Sequence, residues 1–229
     1  MNTTPVAPTS TLAMELFQRL LAHHGPQNWW PADSDFVMIV GAILTQNTSW
    51  KNVVTALQSL RRADVWSFSK ILAIPESELA SLIRSSGYYN QKARKLRAFA
   101  TVVENEFSGS TEHLFDLPNA ELRERLLALW GIGEETADDI VLYGAGKPVF
   151  VIDRYTTRLL GRLGWRVAGE RYDDYQAVFM DILPASVELF GEYHALIDRH
   201  CSTVCRTRPR CQDCCLVDIC PSRDLVTAD

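Results

Sequence analysis

The middle of the chain contains a glycine turn and, further on, a carboxylate that directly follows an apolar run. Gly131 and Gly133 flank one apolar residue, so the backbone can turn sharply between two helices and leave N–H groups free to bind an anion. Asp153 lies twenty residues after Gly133, behind four apolar residues. A backbone site for phosphate together with a carboxylate indicates chemistry on a nucleic acid. The alternative is an ordinary helix–helix turn, in which Thr136 and Ala137 only pack closely.

The C-terminal region contains a second group of chemically capable residues, its cysteines. All six lie between Cys201 and Cys220, which favours metal ligands in a reducing compartment over a disulfide framework that ties distant segments. Four thiolates can hold tetrahedral zinc or a [4Fe-4S] cluster, and the spacing alone leaves both open. Cys201 and Cys215 have no assigned role. The four candidate ligands, separated by five, two and five residues, are Cys205, Cys211, Cys214 and Cys220.

The composition is that of a globular protein with an uneven distribution of charge. Its 229 residues are 47% hydrophobic, enough for a sizeable core. The sequence contains neither eighteen consecutive apolar residues nor a basic segment leading into an apolar one, so no membrane span or secretion signal is predicted. The expected location is cytoplasmic and the expected state a monomer.

The net charge is −5, but the basic residues are concentrated in three windows. Residues 79–103, 147–169 and 199–212 together hold 14 of the 23 basic and one of the 28 acidic residues. These windows predict a basic face that binds a polyanion. The alternative is that they are solvated helix faces pointing in different directions.

Hydrophobic periodicity predicts helices along almost the whole chain. Apolar residues recur at helical spacing from Thr11, and Asp33 or Ser34 can cap the next helix, which ends near Thr45. The one strand-like segment, residues 148–152, is short and isolated and is predicted to connect two helices. The fold class is therefore predicted to be all-α. Further helices are predicted near residues 51–61, 65–71, 76–85, 91–107, 120–129, 134–143, 154–163, 172–183 and 186–200.

Two more blocks precede the glycine turn, residues 41–48 (Gly-Ala-Ile-Leu-Thr-Gln-Asn-Thr) and residues 86–93 (Ser-Gly-Tyr-Tyr-Asn-Gln-Lys-Ala). In this order with the hairpin, Asp153 and the cysteine loop, they resemble the endonuclease III branch of the helix-hairpin-helix DNA glycosylases. The resemblance covers about residues 25 to 221, nearly the whole chain. It implies an enzyme of base excision repair that acts on damaged double-stranded DNA.

The resemblance also implies the arrangement of the chain and its cofactor. One helical lobe would be a six-helix bundle of residues 35–147 that contains the helix-hairpin-helix. The other would combine residues 1–34 with residues 148–229 and carry the cysteine loop, with DNA in the cleft between the two lobes. The cysteine loop is similar to one that holds a [4Fe-4S] cluster in the family, and zinc remains the alternative.

Several residues match positions that contact DNA in the family. Gln46 and Tyr88 are candidates to fill the gap that an extruded nucleotide leaves in the duplex, because an enzyme that acts on a base must remove it from the stack. The alternatives are a helix C-cap for Gln46 and a core ring for Tyr88. The other candidate DNA-contacting residues, in the hairpin and the cysteine loop, are Gly131, Gly133, Thr136, Arg206, Arg208 and Arg210.

The candidate catalytic residues are Asp153 and Glu135. Asp153 matches the family's catalytic carboxylate, which stabilises positive charge on the sugar and orients water; it can also be a helix N-cap. Endonuclease III has a Schiff-base lysine where this chain has Glu135, and a carboxylate cannot form the imine. The expected enzyme is therefore a monofunctional glycosylase. A lyase that recruits Lys147 and a non-catalytic DNA-binding protein are the alternatives.

Aromatic residues near the N-terminus suggest the damaged base. Trp29, Trp30, Pro31 and Trp50 are similar to residues that line the pocket of 3-methyladenine DNA glycosylase III. A purine that is alkylated at a ring nitrogen carries positive charge, so electron-rich indoles can select it by stacking. The alternative is that these tryptophans belong to the core or to an interface between lobes.

Overall fold

The structure, a computed structural model, describes residues 7–223. Within this range the chain forms helices and no β-strand, which confirms the all-α prediction. The chain divides into two compact units: residues Trp30–Lys147, and the residues up to Trp29 together with those from Pro148 onward. No helix in the described range is long and apolar enough to cross a membrane.

The unit of residues 30–147 contains eight α-helices, several of them only one or two turns long. They are α2 (Asp35–Thr45), α3 (Trp50–Arg62), α4 (Phe68–Ala73), α5 (Glu76–Leu82), α6 (Tyr89–Glu106), α7 (Thr111–Phe115), α8 (Asn119–Leu127) and α9 (Glu134–Asp139). A 3₁₀ turn at Arg84–Ser86 precedes α6, and α9 continues as a π-helical segment at Ile140–Gly144.

Helix α2 is the centre of this unit. All residues from Phe36 to Leu44 are buried, and the helix packs against α3, α6 and the π-helical segment. The Ser34 hydroxyl accepts a hydrogen bond from the Val37 amide at 3.4 Å, which caps the helix as the sequence predicts. A helix that is apolar on all sides must be surrounded by other helices. The segment that follows α2 and the segment that precedes α6 are therefore each attached to a helix packed in this unit.

The other unit contains α1 (Ser10–His24), α10 (Arg154–Arg162), α11 (Tyr172–Ile182), α12 (Val187–Thr203) and a 3₁₀ turn at Cys211–Asp213. Helix α12 packs against α1 and α10. The core of this unit is aromatic: the Phe150 ring stacks on Phe179 with 3.9 Å between ring centroids, and the Tyr193 ring contacts both rings edge-on. The buried Tyr193 hydroxyl donates to the Ala13 carbonyl at 2.8 Å.

Residues 148–152 connect the last helical segment of one unit to α10 in the other and form no regular secondary structure. Because the connector has no neighbouring strand, side chains of α11 satisfy its backbone: the Tyr172 hydroxyl accepts from the Ile152 amide at 3.1 Å, and the Gln176 amide donates to the Phe150 carbonyl at 2.8 Å. The buried Phe150 and these two bonds fix the position of the residue that follows, Asp153.

Candidate functional site

The glycine turn predicted at Gly131 and Gly133 forms a hairpin between α8 and α9. Gly131 has a φ of +83°, and the Ile132 amide donates to the Leu129 carbonyl at 3.1 Å. Gly133 is the N-cap of α9, and both glycines are exposed. Exposed amides at a turn leading into a helix can bind a phosphate oxygen. Thr136 is buried behind the hairpin.

The side chain of Lys95, from α6, covers Gly131. A Cβ atom at position 131 would lie 2.6–2.9 Å from three methylene carbons of Lys95, whereas a Cβ at position 133 would meet nothing within 4 Å. Two features therefore require glycine at position 131: the left-handed backbone conformation and the close packing of the Lys95 side chain.

This difference gives a matched pair of glycine variants. Gly131→Ala is expected to cost about 1–3 kcal/mol of unfolding free energy, because it strains the backbone and displaces Lys95. Gly133→Ala is expected to cost less than about 1 kcal/mol, since its φ of −97° suits any residue. Urea unfolding of both variants measures the difference, and equal destabilisation would contradict the assignment of Gly131 as the constrained position.

Gln46 connects the end of α2 to the hairpin. It is the C-cap of α2, and its side-chain amide donates to the Thr136 hydroxyl at 2.9 Å and to the Gly131 carbonyl at 3.3 Å. The Lys95 ammonium donates to the carboxamide oxygen of Gln46. The C-cap position and the contact with the hairpin therefore coexist.

Tyr88 is not a core ring. It is 68% exposed and has left-handed backbone angles, φ 45° and ψ 31°, at the N-cap of α6. A non-glycine residue in this conformation is uncommon and must be held by its surroundings. Trp130 in the hairpin is also exposed, and the Arg94 guanidinium lies 4.6 Å from its ring centroid.

Two of the predicted pocket residues, Trp30 and Trp50, contact each other. Their ring centroids are 5.5 Å apart in an edge-to-face arrangement, and Tyr143 from the π-helical segment lies 5.4 Å from Trp30. Both indoles lie against Gly41 of α2, where a Cβ would be 3.2 Å from Trp30 and 3.3 Å from Trp50. Trp29 belongs to the other unit, and Pro31 is exposed.

Asp153 is the N-cap of α10. Its Oδ1 atom accepts hydrogen bonds from the Thr156 amide at 2.7 Å and from the Thr156 hydroxyl at 2.8 Å, and the carboxylate is half-buried. Glu135 lies exposed in the first turn of α9. The ammonium of Lys147 donates to the Leu117 carbonyl. The predicted N-cap for Asp153 is therefore observed, and both of its hydrogen bonds from Thr156 go to the Oδ1 atom.

The four predicted ligand cysteines line one cavity that is partly open to solvent, together with Arg162 from α10. None of the six cysteines is in a disulfide, and Cys201 and Cys215 do not line the cavity. The Arg162 guanidinium donates to the Cys205 sulfur at 3.1 Å, and His200 Nε2 lies 3.5 Å from the Cys214 sulfur. An arginine and a histidine thus face two of the sulfurs.

Helix α10 and the cysteine loop are joined by arginine hydrogen bonds. Arg158 donates to the carbonyls of Cys201 and Cys205 at 2.9 and 3.1 Å. Arg162 donates to the carbonyls of Cys205 and Arg206 at 3.0 and 2.7 Å. Helix α10 begins directly after Asp153, so the helix that carries this carboxylate at its N-terminus is also the helix to which the cysteine loop is hydrogen-bonded.

The protonation of the thiols depends on their neighbours. The hydrogen bond with the Cys201 thiol, followed by the bond from Arg162, lowers the pKa of Cys205 to about 6. Burial raises the pKa of Cys214 to about 12. Burial also lowers the pKa of His200 and of its 3.0 Å partner His24 to about 4, so both imidazoles are neutral at pH 7.

The cavity tests which metal group the four cysteines fit. A single tetrahedral zinc needs four sulfurs about 2.3 Å from one point, hence roughly 3.8 Å from one another. Between residues 7 and 223, no three His, Cys, Asp or Glu side chains are grouped so as to hold one metal ion. A [4Fe-4S] cluster binds each cysteine at a different iron, which suits sulfurs spread around a cavity. Four thiols around one cavity are a donor set that a [4Fe-4S] cluster or a zinc ion can use.

The three loop arginines differ in their contacts. Arg206, Arg208 and Arg210 are all exposed. Arg210 donates to the Thr203 carbonyl at 2.8 Å and lies 3.6 Å from a carboxylate oxygen of Asp213. Its charge is therefore partly neutralised within the loop.

Several side chains of these sites carry no signal in the sequence motifs. Lys95 and Tyr143 lie in ordinary helical periodicity, and the sequence gives no reason to single them out. Arg162 follows Arg158 by four residues, so one face of α10 is basic, and His200 lies five residues before Cys205. These two spacings could have identified the neighbours of the cysteine loop.

Comparisons with known proteins agree with the fold and the hairpin. Residues 40–185 match the HhH-GPD superfamily base excision DNA repair protein model. A protein of Methanocaldococcus jannaschii named "Putative DNA repair glycosylase MJ1434" is 41% identical over 211 residues, which cover 91% of this chain and 96% of that protein. Endonuclease III of Thermotoga maritima is 27% identical over 211 residues, covering 91% of this chain and 90% of the relative.

Two solved structures are also similar. The H. pylori 3-methyladenine DNA glycosylase MagIII, bound to 1,N6-ethenoadenine, matches with a TM-score of 0.70 and 30% identity over 84% of this chain and 97% of that chain. A non-covalent endonuclease III–DNA complex matches with a TM-score of 0.81 and 20% identity over 97% of this chain and 100% of that chain, which supports the fold.

The fold and the hairpin define a helix-hairpin-helix protein of DNA repair. The chain belongs to the HhH-GPD superfamily of base excision DNA repair proteins, within its endonuclease III-like DNA glycosylases, as the resemblance predicts.

Proposed function

We propose that this protein is a monofunctional DNA glycosylase that hydrolyses the N-glycosidic bond of an alkylated purine in duplex DNA. The observation that carries the proposal is the environment of Asp153. Its Oδ1 is held by two hydrogen bonds from Thr156, so the carboxylate is fixed before substrate binds. Its other oxygen is the one we assign to the reaction.

The chemistry follows from the charge that develops during hydrolysis. Breaking the bond between base and sugar builds positive charge on the sugar, and a fixed carboxylate stabilises that charge without reorganising. The same carboxylate orients or deprotonates the attacking water. A purine that is alkylated at a ring nitrogen is already positively charged and leaves easily, so the enzyme needs little acid catalysis at the base.

The monofunctional assignment rests on the missing amine. Glu135 occupies the position at which endonuclease III has its Schiff-base lysine, and a carboxylate cannot form an imine. The alternative amine, Lys147, is engaged by the Leu117 carbonyl. Water is therefore the proposed nucleophile, and Glu135 does not form a covalent bond.

The alkylated substrate is supported by the aromatic residues. Trp30 and Trp50 present two indoles against Gly41, with Tyr143 beside them, and electron-rich rings attract a cationic base. MagIII, which is 30% identical over the aligned region, is a 3-methyladenine glycosylase whose structure contains 1,N6-ethenoadenine. We assign Pro31 to the same pocket on the sequence resemblance, and Trp29 stays a prediction from the sequence.

The proposed DNA contacts are of two kinds: contacts to the phosphate backbone, and side chains that fill the gap of the extruded nucleotide. The exposed amides of Gly131 and Gly133, with Thr136 behind them, would bind phosphate, and such contacts position DNA without reading its sequence. Arg206 and Arg208 would add charge, and Arg210 less, because Asp213 partly neutralises it. Tyr88 and Gln46 would enter the gap left by the extruded nucleotide.

The proposed cofactor is a [4Fe-4S] cluster held by the four cavity cysteines. A bound cluster supplies cross-links between distant parts of the loop, so its binding energy contributes to folding. Arg162 and His200 would hydrogen-bond to its ligand sulfurs, and the loop presents Arg206 and Arg208 to solvent.

One experiment tests the reaction and the substrate together. The purified protein is incubated with alkylated DNA and with DNA containing oxidised pyrimidines, and the released bases are identified by mass. Release of alkylated purines is expected. The same reactions with borohydride should give no covalent protein–DNA adduct, and an adduct would show that the enzyme is a lyase.

The aromatic pocket gives a sharper prediction. Trp50→Ala is expected to slow release of the alkylated base by about tenfold or more, or 1.4 kcal/mol of transition-state stabilisation, while binding to abasic-site DNA is retained. Trp165→Ala, at a half-buried tryptophan in the other unit, is the control for general loss of packing. Wild-type rates for Trp50→Ala would refute the stacking pocket.

A further inference from the structure

Lys92 is a buried lysine in the first turn of α6. Its side chain is 2% exposed, and its ammonium donates to the Leu44 carbonyl at 2.9 Å and to the Ser86 carbonyl at 2.6 Å. Burial, and then the charge of Lys95, lower the pKa of Lys92 to about 8. A buried ammonium is costly unless it is hydrogen-bonded, so its two acceptors are part of its function.

These two acceptors lie in the segments that carry the proposed gap-filling residues. Leu44 is two residues before Gln46, and Ser86 is two residues before Tyr88. The backbone amide of Lys92 also donates to the Tyr88 carbonyl at 3.0 Å. One residue therefore binds the end of α2 and both sides of the left-handed turn at Gly87 and Tyr88.

We infer that Lys92 is a positioning residue for base extrusion: it holds the segments of Gln46 and Tyr88 at the separation that lets both side chains enter the DNA gap. The inference rests on the proposed roles of those two residues. Extruding a nucleotide costs a few kcal/mol of unstacking, and a gap-filling side chain offsets that cost only if it is already in place. The strained backbone of Tyr88 needs such an anchor.

The test uses substrates that differ in the cost of extrusion. Lys92→Met keeps the length of the side chain and removes its donors. Two duplexes contain 3-methyladenine, a positively charged alkylated purine, opposite thymine in one and opposite an abasic-site analogue in the other. The second duplex has no partner base to separate, so gap filling matters less. Single-turnover excision is measured on both, and 2-aminopurine fluorescence beside the lesion reports extrusion.

The expected result for Lys92→Met is a selective loss. Excision opposite thymine should fall about tenfold or more, a change of 1.4 kcal/mol, whereas excision opposite the abasic analogue should change less than about threefold. The fluorescence rise on binding should fall in parallel on the thymine duplex. Lys70→Met, at an exposed lysine of α4, is the matched control and should behave as the wild type. An equal loss on both duplexes would overturn the inference.

A double variant separates positioning from general stability. If Lys92 acts partly through Tyr88, the variant Lys92→Met/Tyr88→Ala should lose less excision activity opposite thymine than the two single losses added together, whereas independent roles would give additive losses. Should Lys92→Met be unfolded at the assay temperature, Lys92→Gln is measured instead; its shorter side chain keeps one amide donor group, so a smaller but still selective loss is expected. A wild type that excises from neither duplex would contradict the proposed alkylated substrate. Lys92 is then tested by the fluorescence rise alone, and an unchanged rise for Lys92→Met on the thymine duplex would overturn its role.

Discussion

Asp153→Asn is expected to lower single-turnover excision by about 100-fold or more, because an amide has no negative charge to stabilise the sugar cation and cannot deprotonate water. The same variant should keep its affinity for damaged duplex, since the proposed phosphate contacts come from the hairpin and the loop arginines. The expected effect is therefore on the rate of the chemical step.

The N-cap position of Asp153 makes this variant informative. Asparagine caps helices about as well as aspartate, so Asp153→Asn can still accept hydrogen bonds from Thr156. Its free energy of unfolding should lie within about 0.5 kcal/mol of the wild-type value. Asp153→Ala removes both the cap and the charge, and its free energy of unfolding should be lower by a further amount of about 1 kcal/mol. A residue that served only as a cap would give the opposite pattern, with Asp153→Asn fully active.

The measurement combines excision rate, DNA affinity and urea unfolding for each variant. Asp181→Asn, at an exposed carboxylate of α11 in the same unit, controls for loss of one negative charge. Full activity of Asp153→Asn, or an equal loss in Asp181→Asn, would remove Asp153 from the mechanism.

The parts of the structure that the sequence predicted are those governed by local chemistry. Ser34 caps α2, Gly131 adopts the positive φ of the hairpin, and residues 148–152 form a connector between helices. Each depends on residues within a few positions of one another. Helix boundaries were predicted to within about four residues for the same reason, although the one-turn helix α7 was missed because five residues give no periodicity.

The parts that the sequence did not predict depend on contacts between distant residues. Gln46 binds Thr136 across 90 positions, and Lys92 binds Leu44 across 48. A lysine in a helical pattern is normally a surface residue, so the burial of Lys92 contradicts the usual expectation. The π-helical segment that presents Tyr143 to Trp30 is a change of helical winding that apolar spacing does not reveal.

The cysteine loop and the candidate catalytic carboxylate belong to one structural unit. Helix α10 begins after Asp153 and ends with Arg162, which donates to the Cys205 sulfur and to loop carbonyls. Arg158, one turn earlier, binds the carbonyls of Cys201 and Cys205. A loop that loses its cross-links would release these arginines and loosen the C-terminal end of α10.

Two adjacent cysteines allow a direct test of the cluster. Cys214 lines the cavity and Cys215 does not, although both are half-buried. Cys214→Ala is expected to lose the cluster and to unfold more easily by several kcal/mol, which lowers the melting temperature on the order of 10 °C for a chain of this size. Cys215→Ala should keep the metal and melt within about 2 °C of the wild type.

The readouts are iron and sulfide content, absorbance near 400 nm and thermal unfolding, so the result does not depend on an excision assay. The comparison also distinguishes the two metals, because a colourless protein with one zinc would retain the difference between Cys214→Ala and Cys215→Ala but show no iron. A stable, metal-free Cys214→Ala protein would mean that the arginine bonds alone hold the loop on α10. Equal metal loss in both variants would instead make Cys215 a ligand and require the cavity to rearrange around it.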